Sequence, residues 1–184
     1  MAKQQSFHQI QKSMDAYGGD LRKKAKNRGP RPLVFRSGSM HITLRSTKAT
    51  GINSFQNSSK RNKVKSFVYS FSAKKGVKIL SFANVGNHLH LHVRLHNSHL
   101  YKAWIRGLSS GLAMISMGLQ GLHHLKHKKQ KFWDQRPFSR IIQSFRHFMN
   151  TKSYLEVNVL EGMGMPRGEA ELLIYGSRRF LKSG

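Results

Sequence analysis

Residues 77–95 read VKILSFANVGNHLHLHVRL, and their pattern decides the fold class. Leu89, Leu91, Val93 and Leu95 alternate with His88, His90, His92 and Arg94. A period of two belongs to a strand with one apolar and one polar face. Residues 77–85 form a second apolar run, and Gly86-Asn87 is a turn signal. Two runs joined by so short a turn predict an antiparallel hairpin. The leucine face must be covered by helices, which leaves the histidine face open to a ligand or partner.

The segments on either side extend the pattern. Residues 40–45, MHITLR, alternate in the same way and predict another half-buried strand. Val64, Phe67, Val68 and Phe71 make a helical stripe within residues 58–73, stopped by Lys74-Lys75-Gly76. Residues 98–122 predict a long helix, with Tyr101, Trp104, Leu108, Leu112, Ile115, Leu119 and Leu122 at steps of three or four. Its glycines cost about 1 kcal/mol each against alanine but permit close backbone approach. Residues 123–131, HHLKHKKQK, read as a basic loop, and FSRII at 138–142 as a fourth strand. Residues 143–149 are either helical or irregular, and 151–160 form a second clear helix ending near Gly162 or Gly164. No internal repeat is present. The order strand, helix, strand, strand, helix, strand, helix predicts an α+β fold. It is a ferredoxin-like antiparallel sheet with helices on one face, plus a C-terminal helix carrying candidate catalytic residues. The divisions are a basic N-terminal arm at 1–30, a domain at 31–164 and a C-terminal tail at 165–184.

Among 184 residues, Lys and Arg number 33 and Asp and Glu only 7, a formal net charge of +26. Self-repulsion of that size calls for a polyanion, nucleic acid first and an anionic membrane surface second. The charge run LRKKAKNRGPR at 21–31 reads as a solubilising or phosphate-gripping arm. No cysteine is present, which excludes disulfides, thiolate catalysis and cysteine-based zinc sites. The N-terminal MAKQQSFHQI lacks the apolar run of a signal peptide. The charge-free stretch 107–122 is short for a membrane span and rich in glycine and serine, so it reads as a buried helix. A cytoplasmic protein with no membrane partner is the expectation.

Two groups of residues carry chemistry. Side chains two apart on a strand lie about 7 Å apart, close enough for two imidazoles to share one divalent ion. Neutral imidazole suits Mn²⁺, Zn²⁺ and their neighbours, and Mg²⁺ where oxygen ligands complete the set. Histidines facing solvent or phosphate, or bonded within the fold, are the plain alternatives. No Asp or Glu lies between Asp20 and Asp134, so a carboxylate-rich two-metal site is hard to build. One ion held by two histidines and a neutral amide is easier. The second group is Tyr154 and Asn158 in TKSYLEVNVLEG, four apart on one helix face, with Glu161 near it. A phenol beside an amide oxygen is a workable pairing of nucleophile and ligand, and a packing tyrosine is the plain alternative. A free phenol is a weak nucleophile at neutral pH, so it needs help from a metal-polarised phosphate and from lysines such as Lys152.

Taken together, Asn87-His88-Leu89-His90, the WDQRPF stretch at 133–138 and YLEVNVLE at 154–161 resemble the IS200-like, or REP-associated, single-tyrosine transposases. These belong to the His-hydrophobic-His endonucleases, and the order and spacing agree along residues 35–164. The resemblance implies that His88 and His90 are the metal-binding pair and Asn158 the third, amide-type ligand. It implies one divalent ion, Mg²⁺ or Mn²⁺, and Tyr154 as the nucleophile that becomes linked to a 5′-phosphate while a 3′-hydroxyl is released. It also implies hairpin-forming single-stranded DNA as the partner and a homodimer as the assembly.

The departures are Val85-Gly86 where many relatives have Met-Pro, and the additional His92, which leaves His90 and His92 open as the pair. An alternative alignment puts Phe148 at the nucleophile. Lys60, Arg61, Lys63, Lys65, Arg94, Lys126, Lys128, Lys129 and Lys131 are candidates to track phosphates. Phe132 and Trp133 either stack on a base or pack under the basic loop. Two other functions compete: a non-catalytic nucleic-acid-binding protein on the same fold, and an RNA-binding ribosome-associated protein.

Overall fold

The hairpin forms where the alternation puts it. In the computed structural model, which describes residues 16–19, 31–34 and 38–176, β3 (Val77–Asn84) pairs antiparallel with β4 (His88–Leu95). Three further strands complete the sheet: β1 (Ala16–Tyr17), β2 (Ser39–Arg45) and β5 (Phe138–Ile142). The order is β1-β5-β2-β4-β3, and every neighbouring pair is antiparallel. Without β1 this is the ferredoxin-like order, so the predicted α+β class holds.

The helices are α1 (Arg61–Lys74), α2 (Tyr101–His127), α3 (Phe145–Gly162) and α4 (Arg167–Glu171), the last followed by a π-helical turn at Leu172–Gly176. The leucine face of the sheet packs against α1 and α2. Ile42 stands opposite Leu91, and Leu44 opposite Leu89. These four and Val64, Val68, Trp104, Leu108 and Leu112 are no more than 1% exposed. Each contributes on the order of 1.5–3 kcal/mol through burial. Gly107 and Gly111 of α2 let the rings of Phe71 and Phe67 on α1 approach their backbone, the close contact that the glycines allowed.

Three expectations change. Residues 123–127 are not loop, because α2 runs on to His127. Gly118 breaks it with φ 67° and ψ 177°, a conformation favouring glycine. The stripe is interrupted there: Leu119 is 64% exposed, while Leu125 beyond it is buried. Lys60, a candidate phosphate contact, is tied into the fold, since its Nζ donates to the carbonyls of Ile52 (2.6 Å) and Ser116. Finally, the histidine face is only partly open. α3 begins at Phe145, capped by Ser144, whose hydroxyl accepts from the His147 N–H at 3.2 Å. It crosses the sheet on that face, and His90 and His92 are 4% and 0% exposed. The two core helices thus share one face, and the C-terminal helix covers the other.

Ala16–Tyr17, within the stretch read as the arm, adds an edge to the sheet beside β5. Apart from 16–19, residues 1–30, including nearly all of the charge run at 21–31, lie outside the described residues, as does the tail from 177 on. No helix among the described residues is long and apolar enough to cross a membrane.

Candidate active site

The turn that presents His88 is clamped from behind. Asn84 donates to the Phe55 carbonyl at 2.8 Å, Phe55 N–H to the Gly86 carbonyl at 2.9 Å, and Ser46 N–H to the Asn87 carbonyl at 2.9 Å. The segment at 54–56 therefore fixes where β4 begins.

Beside β4, β2 presents its own polar face. His41, Thr43 and Arg45 stand in register opposite His92, His90 and His88. The His90 Nδ1 lies 3.1 Å from the His41 Nε2 and 3.2 Å from the Thr43 hydroxyl. Its Nε2 is buried and has no hydrogen-bond partner. The His88 Nδ1 lies 2.6 Å from the Asn87 side-chain oxygen, and the two rings stand edge to face at 4.9 Å between centroids. His92 is differently placed. Its Nε2 sits 2.8 Å from the Ser39 hydroxyl and its ring packs on Phe148, 4.8 Å away. It does not line the cleft described next.

Burial sets the protonation of these rings. It pushes His90 down to about 2, with His41, His88 and Arg167 adding to the effect. It pushes His41 and His92 down to about 4, helped by neighbouring cationic groups. Burial also lowers His88, with Arg45 in the same direction and Glu161 opposing. All four are neutral imidazoles at neutral pH, the form that ligates metal.

Tyr154 comes from α3 to the same place. Its ring meets His90 at 5.4 Å and His41 at 5.8 Å between centroids, edge-on in both cases. The three rings border a cleft of about 840 Å³, which His88, Arg45, Arg136, Arg140 and His147 also line. Asn158 is not in the lining. It is 2% exposed, and its amide N–H donates to the Tyr154 carbonyl at 2.6 Å. Below Tyr154, the Arg167 guanidinium stands 6.0 Å from the ring centroid, held by Glu161 at 2.9 Å and Glu171 at 2.8 Å.

The 133–138 stretch forms one wall. The Asp134 carboxylate takes the Thr47 N–H at 2.9 Å and lies 3.9 Å from Arg45. Trp133 and Phe132 do not offer faces for a base. Trp133 stacks on Phe55 at 5.9 Å and donates to the Ser109 carbonyl at 3.1 Å, and Phe132 is 7% exposed.

Sequence reading missed His41, Thr43, Arg45, Arg140 and His147. The signal for the first three was present, because they are the alternate positions of the predicted strand MHITLR. Arg140 and His147 needed the sheet order and the true start of α3.

The residues fit one metal ion. Each candidate ligand has its Nδ1 engaged, which leaves its Nε2 for coordination, and a buried, unpartnered Nε2 on His90 suits a ligand. Among the described residues, no group of three or more His, Cys, Asp or Glu is placed to hold a metal. Among the described residues, the remaining ligands are left to an amide, water or substrate oxygen.

No family model and no curated protein matches the chain. Among solved structures it is similar to a REP-associated tyrosine transposase bound to a REP hairpin, with TM-score 0.53 and 12% identity over 73% of this chain and 74% of that one. It is also similar to a Deinococcus radiodurans protein described as a candidate transposase, with TM-score 0.42 and 13% identity over 71% of this chain and 96% of that one. At such identities the first similarity is one of architecture: the chain has the fold of a REP-associated tyrosine transposase.

Proposed function

We propose that this protein nicks and rejoins single-stranded, hairpin-containing DNA as a single-tyrosine transposase. The observation that carries the reading is the meeting of His88, His90 and Tyr154 in one cleft, although the tyrosine follows the histidines by more than sixty residues. The cleft walls are cationic and suit a phosphodiester.

His88 and His90 would hold one Mg²⁺ or Mn²⁺ through Nε2. Asn158 would serve as the third ligand through its amide oxygen only by moving toward the histidines, since it lies outside the cleft lining with its N–H donating to the Tyr154 carbonyl. When bound, the ion offsets charge on the non-bridging oxygens of the scissile phosphate. The Tyr154 hydroxyl gives up its proton to water in the open cleft and attacks phosphorus. The phosphorus–O3′ bond breaks, and the leaving oxygen takes a proton to become a 3′-hydroxyl. The 5′-phosphate remains esterified to Tyr154, and reversal of the step rejoins the strand without ATP. Arg45, Arg136 and Arg140 position the strand. A homodimer belongs to this reading through the family resemblance. The cleft already holds the histidines and the tyrosine of one chain, so a second copy need not supply either.

The test is incubation with labelled hairpin-tailed single-stranded DNA and Mn²⁺, followed by denaturing electrophoresis. A covalent adduct that disappears in Tyr154→Phe, with DNA binding retained, is the expected result. An adduct that persists in that variant overturns the nucleophile. Binding without an adduct on any hairpin substrate leaves a nucleic-acid-binding protein with a degenerate site.

A further inference from the structure

A neutral imidazole carries one N–H, and its position decides what His90 shows to the cleft. Were His41 the donor in the His41–His90 bond, the His90 proton would sit on Nε2, and the cleft would meet an N–H. With His90 donating from Nδ1, the buried and unpartnered Nε2 keeps a bare lone pair instead. We propose that His41 is a positioning residue that accepts the His90 Nδ1–H and so holds the Nε2 lone pair ready for a divalent ion. The inference rests on the reading of His90 as a ligand and adds a residue that no motif assigns.

The geometry is specific. The His41 Nε2 lies 3.1 Å from the His90 Nδ1, and the two ring planes are within 18° of parallel with centroids 5.3 Å apart, the edge-to-edge arrangement an in-plane N–H···N bond requires. In the register of β2 and β4, Thr43 stands directly opposite His90, and His41 stands opposite His92. His41 is therefore the diagonal neighbour of His90, within reach of a ring-sized side chain. The Thr43 hydroxyl, 3.2 Å from the same nitrogen, is a second acceptor for that N–H. A hydroxyl can also turn and donate, so Thr43 alone does not choose the tautomer. An imidazole that takes the ring N–H of a ligating histidine also fixes the ring about its bond to the chain.

The experiment reads the metal-free protein first. Nitrogen NMR of ¹⁵N-histidine-labelled protein distinguishes a protonated ring nitrogen from a bare one. The expected result is His90 protonated at Nδ1 and bare at Nε2. In His41→Phe, which keeps an aromatic ring but no acceptor, the two tautomers should mix. In His41→Gln, whose amide oxygen can accept, the parent pattern should return at least in part. Mn²⁺ titration followed by electron paramagnetic resonance should then show roughly 10–100-fold weaker binding in His41→Phe and partial recovery in His41→Gln. A thermal melt checks that both variants fold.

A parent protein with the His90 proton on Nε2 overturns the inference and leaves the nicking reading standing. Unchanged Mn²⁺ affinity in a folded His41→Phe also overturns it. If the parent binds no Mn²⁺ while the tautomer still depends on His41, the metal site itself fails, and the purpose assigned to His41 fails with it.

Discussion

The Arg167 guanidinium stands 6.0 Å from the centre of the Tyr154 ring, held there by carboxylates on two different elements, Glu161 of α3 and Glu171 of α4. A cation fixed beside the proposed nucleophile favours the charge that moves onto the phenol oxygen during attack. Arg167 is half exposed, so solvent screens its effect to about 0.5–1 kcal/mol. Arg167→Gln should therefore slow adduct formation by roughly two- to fivefold, with hairpin binding nearly unchanged. Single-turnover adduct kinetics check this.

Gly162 ends α3 against the hairpin. A Cβ there would stand 2.2 Å from the Asn84 carbonyl oxygen, a backbone atom. Alanine would gain at most about 1 kcal/mol in helix propensity. Overpacking costs about 1–3 kcal/mol and should win. Gly162→Ala is predicted to lower stability in urea and to reduce adduct formation, because the helix that brings Tyr154 to the histidines must lift at this end.

Arg136 lines the cleft with its side chain exposed. Each phosphate contact on single-stranded DNA contributes about 0.7 to the slope of log affinity against log salt concentration. Arg136→Gln should reduce that slope by about this amount and weaken binding to all sequences alike. Filter binding from low to moderate salt measures it.

Tyr101 gives a stability prediction away from the cleft. Burial pushes its phenol up to about 12, against an opposing pull from Arg31 and a further push from Tyr17. Below pH about 10 the phenol is protonated whether the chain is folded or not, and its contribution is fully present. Above that, only the unfolded chain releases the proton, so stability falls as pH rises toward 12, by no more than about 2–3 kcal/mol. The hydroxyl is buried without a hydrogen-bond partner, so Tyr101→Phe should cost little at neutral pH and should flatten this decline. Urea melts of both proteins between pH 9 and 11 compare the slopes.

Much of the scaffold was legible because local periodicity reports local geometry. The alternation in 88–95 placed β4 to the residue, and MHITLR located β2. The first two turns of α3 were not legible, because FRHFMN at 145–150 mixes basic, aromatic and polar side chains without a clean apolar stripe. That helix nevertheless forms, under the Ser144 cap and over a polar sheet face that needs no such stripe. The stripe of α2 misled beyond Gly118, where one left-handed glycine redirects the residues that follow.

By itself the sequence determined most of the core elements, the two faces of the strands at 40–45 and 88–95, the need for a polyanion, and the pairing of His88-Leu89-His90 with Tyr154 and Asn158 as the segments to watch. Only the tertiary structure decided what covers the histidine face. It also brought Tyr154 into the cleft with the histidines, left Asn158 out of the lining, and placed His41 against His90. The reason is physical: periodicity tells a side chain which face it shares with its neighbours along the chain. Contacts across a sheet and beneath a helix are fixed by strand order and packing, which no single segment encodes.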